Sequence, residues 1–219
     1  MLKSVKQKFV TMMLIGMISG VTLAAPKERL AINKQGIKVW TIQLADNPMA
    51  KYRAETVFDT TLANAVGLIL DTEYSTQWMP NVGEIKILER NDTTGSFIAY
   101  MVISMPFPLA NRDLVIKGDI YKDSEGKIIV KNNATKDSRA PEKSGVVRIT
   151  EYEGDWTFQK VSDKQVKVSS QGYADPSGAV PKGIVNSFVQ QQPYQMFQKM
   201  RNQLKTEKYT LKDLPKSVQ

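Results

Sequence analysis

The sequence predicts an α+β domain built on one antiparallel sheet, and three observations carry that prediction. Apolar residues recur with period two through most of residues 82–173. Helical periodicity is confined to two short stretches before that block and one long stretch after it. No internal repeat or low-complexity linker divides the chain, so strands and helices share one core.

Residues 1–24 read as an export signal. Lys3, Lys6 and Lys8 precede an apolar run from Phe9 to Leu23, and the small residues Ala24 and Ala25 follow. Cleavage is expected after Ala24, because cleavage after Ala25 would put Pro26 at the scissile bond. The alternative, an uncleaved anchor, calls for about 20 apolar residues, more than this run supplies. The protein is therefore expected in the periplasm or outside the cell. Removing 24 of 219 residues leaves 195, enough for one domain with a substantial core, and the loss of three lysines takes the formal charge from +8 to +5. That excess is scattered rather than blocked into a basic arm, which argues against nucleic acid and allows visits to anionic membranes.

Cysteine and histidine are both absent. That excludes a Ser-His-Asp triad, a thiolate nucleophile and any His- or Cys-ligated zinc or haem, and it leaves the core to hold the fold without disulfides. No cofactor is expected. Asp, Glu, Tyr and Lys remain available as acids or bases.

In chain order, Ile37 to Leu44 alternates Trp40, Ile42 and Leu44 against Val39, Thr41 and Gln43, and Tyr52 to Phe58 pairs with it across a turn at Asn47-Pro48. Asp59 or Thr60 caps a helix whose Leu62, Val66, Ile69 and Leu70 form one stripe ending near Asp71. A second short helix, Glu73 to Met79, stops at Pro80. Strands follow at about Glu84–Glu89, Ser96–Ser104, Asp113–Tyr121, Lys127–Ala134, Gly145–Phe158 and Gln165–Tyr173, separated by turn residues at 91–95, 123–126, 137–145 and 162–163. The last helix carries Ile184, Val185, Phe188, Val189, Met196, Phe197, Met200 and Leu204, with Pro193 expected to kink or restart it. Residues 206–219 read as a polar, loosely attached tail.

One connection is anomalous. Met105 to Val115 runs Met-Pro-Phe-Pro-Leu-Ala-Asn-Arg-Asp-Leu-Val between two apolar strands. Pro106 and Pro108 stop a strand from continuing, yet Phe107 and Leu109 are apolar, so the loop belongs over a cavity, against a membrane or on a partner. The preceding strand, Phe97 to Ile103, is apolar on both faces, so one face must meet something other than water; covering helices would serve as well as a cavity. Met101 with Met105, and Met196 with Met200, supply adaptable side chains suited to an irregular core or a variable ligand. Arg112 reads either as a head-group contact or as a structural ion pair or surface strand residue, and Asp113 points to the opposite face. Trp78 and Asn81 fix a helix-to-strand corner. Glu151, Glu153 and Asp155, spaced by two, form a solvated strand face rather than a calcium site.

Three motifs, in order, resemble the START domain, the lipid-transfer family with a helix-grip fold. They are Trp78-Met79-Pro80-Asn81-Val82 before the strand Glu84 to Leu88, Pro106-Phe107-Pro108 leading to Arg112-Asp113-Leu114-Val115, and Pro181-Lys182-Gly183-Ile184-Val185-Asn186 opening the last helix. The resemblance covers residues 25–205, the expected domain. It implies a curved antiparallel sheet wrapped around the long C-terminal helix, with an internal hydrophobic tunnel for one ligand. It makes Met105 to Asn111 a gate at the tunnel mouth and residues 137–145 the second loop of the rim. The ligand-contacting set so implied is Met101, Ile103, Phe107, Leu109, Arg112, Ile184 and Phe188. Cholesterol-carrying members place an acid and an arginine in the tunnel. This chain has no Asp or Glu from Ser96 to Pro108, and Lys117 lies near but not at the arginine position, so a sterol preference does not carry over.

The sequence is expected to specify a monomeric, non-catalytic carrier or sensor of a hydrophobic small molecule or lipid, with transient membrane contact. Two rivals stay open: an enzyme of the same superfamily, a cyclase or hydrolase acting on a lipidic substrate, and an adaptor docking a protein through Phe107 and Leu109.

Overall fold

The structure, a computed structural model, describes residues 27–43 and 49–219. The expected export signal, Leu44 and the Asn47-Pro48 turn lie outside the described residues. Within them the chain forms β1 (Lys27–Lys34), β2 (Ile37–Gln43), β3 (Ala50–Asp59), α1 (Leu62–Leu70), α2 (Ser75–Trp78), β4 (Val82–Asn91), β5 (Ser96–Ile103) and β6 (Arg112–Lys122). Then follow β7 (Ile128–Thr135), β8 (Val147–Arg148), β9 (Tyr152–Ser162), β10 (Gln165–Ala174) and α3 (Lys182–Gln203).

One sheet holds all ten strands. Nine lie in the order β1-β2-β3-β10-β9-β7-β6-β5-β4, each antiparallel to its neighbours, and β8 adds to β6 in parallel. The sheet curves around α3, the helix-grip arrangement. Phe197 and Met200 on α3 are fully buried, and the Phe197 ring lies 5.8 Å from Phe58 and 6.1 Å from Trp156. Burying large aromatic side chains at about 25 cal/mol per Å² anchors this half of the helix on the sheet.

Four local readings change. β1 was not expected, because Leu30 is 46 % exposed and an edge strand without a buried face shows no alternation. It pairs with β2 through Gln35 and Gly36, both at positive φ, the geometry of a two-residue hairpin turn. The cap of α1 is Thr61, whose hydroxyl accepts from the Asn64 amide at 3.2 Å, rather than Asp59 or Thr60. The strand expected over Gly145–Phe158 splits in two. Val147 N–H donates to Asn111 O and Ile149 N–H to Asp113 O, tying β8 to β6, whereas β9 pairs with β7 and β10, so the chain must step between them. Pro193 sits inside a single helix, buried.

The C-terminal segment is not loose. Leu214 and Val218 are 4 % and 1 % exposed, Ser217 Oγ donates to Ile120 O, and Lys216 N–H donates to Asp92 O. Upstream, the buried Asn64 amide donates to Thr206 O and accepts from the Lys208 and Tyr209 N–H groups. A buried amide so satisfied clamps the tail to α1.

Candidate functional site

Strand alternation gives β5 and β6 two distinct faces. Met101 pairs with Leu114 and Ile103 with Arg112, so these four point to the same, concave side. Tyr100, Val102, Asp113 and Val115 point to the other.

The outer face is sealed by residues 136–148. Ala140 packs with Tyr100 and Val115, and Arg148 donates to both Asp113 carboxylate oxygens at 2.7 and 3.0 Å. Tyr100 Oη donates to Asp113 as well, at 3.0 Å. Burial alone would raise the Asp113 carboxyl, but the Arg148 and Tyr100 hydrogen bonds outweigh it and hold the pKa below its ordinary value. Residues 137–145 therefore cover the back of the sheet, and none of them lines the cavity that a rim loop would border. Arg139 fixes this segment to Leu88 O and to the carboxylates of Glu89 and Asp137.

The concave side encloses a cavity of about 180 Å³ between the sheet and α3. Met79, Val82, Met101, Ile103 and Ile149 line one wall. The helix supplies Val185, Phe188, Val189, Gln192 and Met196, spaced three or four apart so that they share one stripe. Among the described residues the lining holds no Asp, Glu or Lys, and Arg112 is its one charged residue. Tyr52 and Tyr152 bring hydroxyls, each with its pKa raised by burial. Such a surface solvates a hydrocarbon and offers few groups for acid–base chemistry.

Of the seven residues singled out from sequence, Met101, Ile103, Arg112 and Phe188 meet at this cavity. Phe107, Leu109 and Ile184 stand off its lining. Ile184 is one residue out of the helical stripe. The turn Pro106–Leu109, closed by Leu109 N–H donating to Pro106 O, puts Phe107 at its apex, 97 % exposed, with Leu109 half-buried. The apolar loop instead sends Met105 into the cavity wall.

Arg112 fits neither an ion pair nor a surface position. It is 4 % exposed, and its guanidinium donates to Ala110 O at 2.6 Å and to Pro176 O and Ser177 O at 3.0 Å each. The last two carbonyls belong to the segment between β10 and α3, so Arg112 ties the sheet to the approach of the helix. Trp78 and Asn81 do mark the corner into β4: Trp78 is 1 % exposed with its ring edge on Trp156 at 6.0 Å, and Asn81, at φ 62°, accepts through its carbonyl from Ser104 N–H. In the acidic trio, Glu153 pairs with Lys51 and Asp155 accepts from Gln171. Among the described residues no group of three or more His, Cys, Asp or Glu is placed to hold a metal, and no helix is long and apolar enough to cross a membrane.

Sequence reading missed Tyr52, Tyr152 and Ile149 as lining residues. The available signal was Gly154 and Gly172, isolated glycines inside strands, which mark places where another group must approach the sheet.

Comparison with known proteins places this geometry. The START domain family model matches residues 30–210. An uncharacterized Pseudomonas aeruginosa protein is 26 % identical over 174 residues, covering 80 % of this chain and 85 % of that one. The phosphatidylcholine transfer protein of Bos taurus is 27 % identical over 161 residues, covering 72 % of this chain and 74 % of its own length. Among solved structures, a STAR-related lipid transfer protein from Xanthomonas axonopodis superposes with a TM-score of 0.74 at 30 % identity, covering 82 % of this chain and 99 % of that one.

Proposed function

The chain belongs to the START domain family, and from that membership we propose that it is an exported, non-catalytic carrier or sensor of one hydrophobic ligand, loading and unloading at membranes in the periplasm or outside the cell. The observation that carries this reading is the cavity of about 180 Å³, whose lining is mainly apolar, led by Met, Val and Ile, and among the described residues includes no carboxylate. The names of the bovine and Xanthomonas relatives support a lipid as the cargo class. A sterol-type acid and arginine pair has no counterpart among the described residues, where no acid lines the cavity and Lys117 is exposed.

Transferring a sixteen-carbon chain out of water is worth about 13 kcal/mol at ~0.8 kcal/mol per methylene. The donor membrane already provides that burial, so uptake is nearly isoenergetic and its rate depends on how readily the entrance opens. Phe107, exposed at the loop apex beside the cavity-lining Met105, is the side chain offered to the membrane interface. Native mass spectrometry of protein purified from its own host tests the proposal. A co-purifying hydrophobic small molecule is expected; a reproducibly bare protein that extracts nothing from vesicles refutes it.

A further inference from the structure

Methionine and leucine are close in volume and apolar character, and protein cores exchange them at little cost. In this chain they are segregated. Of the six described methionines, Met49, Met79, Met101, Met105 and Met196 line the cavity and Met200 alone does not, whereas none of the ten described leucines lines it. Leu114 sharpens the contrast. It pairs with Met101 across β5 and β6 on the concave side, yet only Met101 reaches the cavity while Leu114 stays in the core. Leu68, Leu204 and Leu214 are likewise packed in the main core.

The five methionines come from separate parts of the chain. Met49 precedes β3, Met79 follows α2, Met101 lies on β5, Met105 on the loop after it and Met196 on α3. No local pattern links those positions, so the property they share belongs to the cavity rather than to any one element.

Several polar side chains of the lining are already engaged by the protein itself. Arg112 donates to the Ala110, Pro176 and Ser177 carbonyls, Gln192 Nε2 donates to Pro80 O at 2.7 Å, and the Tyr52 and Ser170 hydroxyls share a hydrogen bond of 3.0 Å. What the lining holds in abundance is sulfur. A thioether is polarisable and makes favourable contacts with aromatic rings that a leucine side chain does not make. Toward a saturated chain the two side chains are nearly equivalent.

We infer that the cavity is built for a lipid that carries an aromatic or conjugated ring, which the surrounding methionine sulfurs contact. This names the cargo class within the carrier reading and rests on that reading. The competing account is an adaptable lining for saturated chains of varied shape, which draws on the unbranched, freely rotating methionine side chain rather than on its sulfur.

The mature protein is titrated by calorimetry with 6-phenylhexan-1-ol and 6-cyclohexylhexan-1-ol, which share a carbon skeleton and head group and differ in the π electrons of the ring. Comparing the ratio of the two affinities between proteins cancels each probe's own transfer out of water. Protein in which norleucine replaces every methionine keeps the unbranched side chain and loses the sulfur. Its phenyl-to-cyclohexyl ratio should fall about tenfold from that of the wild type. The triple variant Met79→Leu, Met101→Leu, Met196→Leu, which conserves volume, should show a fall of similar size. A ratio unchanged by norleucine, or unchanged in the triple variant, overturns the inference and leaves the carrier standing. A ratio lost in the triple variant but kept with norleucine overturns it too, by assigning the effect to side-chain flexibility. No binding of either probe to the wild type overturns both.

Discussion

Replacing Arg112 with methionine tests the most heavily bonded group at the cavity. Its guanidinium makes three hydrogen bonds to backbone carbonyls, at 2.6, 3.0 and 3.0 Å, and two of them reach the segment leading into α3. Hydrogen bonds from a charged donor contribute about 1.5–3 kcal/mol each, so the gross loss is roughly 4–9 kcal/mol. Against this stands the relief of no longer holding a cation out of water, several kcal/mol, and the partial rehydration of Pro176 and Ser177, which lie at half-exposed positions. A net weakening of about 3 kcal/mol follows, concentrated where the sheet meets the approach to the helix. At 1.4 kcal/mol per tenfold, local opening of residues 174–192 should rise about a hundredfold. Hydrogen exchange over those amides, together with the rate at which a fluorescent fatty acid passes between vesicles, reads the effect. Arg112→Lys keeps the charge but concentrates its donors on one nitrogen, and should fall between. Protection at 174–192 unchanged within threefold in Arg112→Met would refute the tie between β6 and the approach to α3, and a fall in urea midpoint alongside it would make Arg112 a general packing group.

Three further outcomes follow from the same geometry. Asp113→Asn breaks a buried ion pair and should destabilise the fold by about 3–5 kcal/mol in urea. Because the folded-state pKa of Asp113 is depressed, its contribution is full above the unfolded value of about 3.9 and is lost as pH falls through the folded value. The wild type should therefore lose stability below about pH 4 more steeply than the variant does, as followed by circular dichroism; parallel acid curves would contradict this. Leu214→Ala, at a site 4 % exposed, should lower stability by about 2–5 kcal/mol in thermal melts, whereas a free tail would show no change. Phe107→Asp, at a site 97 % exposed, should change stability by less than about 0.5 kcal/mol while slowing transfer between vesicles, and an unaltered transfer rate would remove Phe107 from the membrane contact.

Legibility differed from element to element for physical reasons. Period-two runs mark the strands from β4 to β7 and β10 to within a few residues, because the alternation follows which side chains turn toward the core. β1 carries no such pattern, since its apolar Leu30 faces water. Gly145 to Phe158 reads as one strand from alternation alone, and the two partners that divide it, β6 on one side and β7 and β10 on the other, are distant in sequence. Leu214 and Val218 look like isolated apolar residues in a lysine-rich tail until the structure supplies the surface they cover.

By itself the sequence determined the α+β class, the absence of histidine and cysteine chemistry, and the apolar loop with its Arg-Asp handover, because composition and periodicity are properties of the chain. Tertiary structure decided which side chains meet. Met105 rather than Phe107 reaches the cavity because the turn at Pro106–Leu109 carries Phe107 out to its exposed apex. Arg112 is held by carbonyls more than sixty residues away, and Asp113, one position on and on the opposite face, finds Arg148 across the back of the sheet. Those partners are set by the curvature and register of the sheet, which bring Pro176, Ser177 and Arg148 within hydrogen-bonding reach although nothing local in the chain marks them.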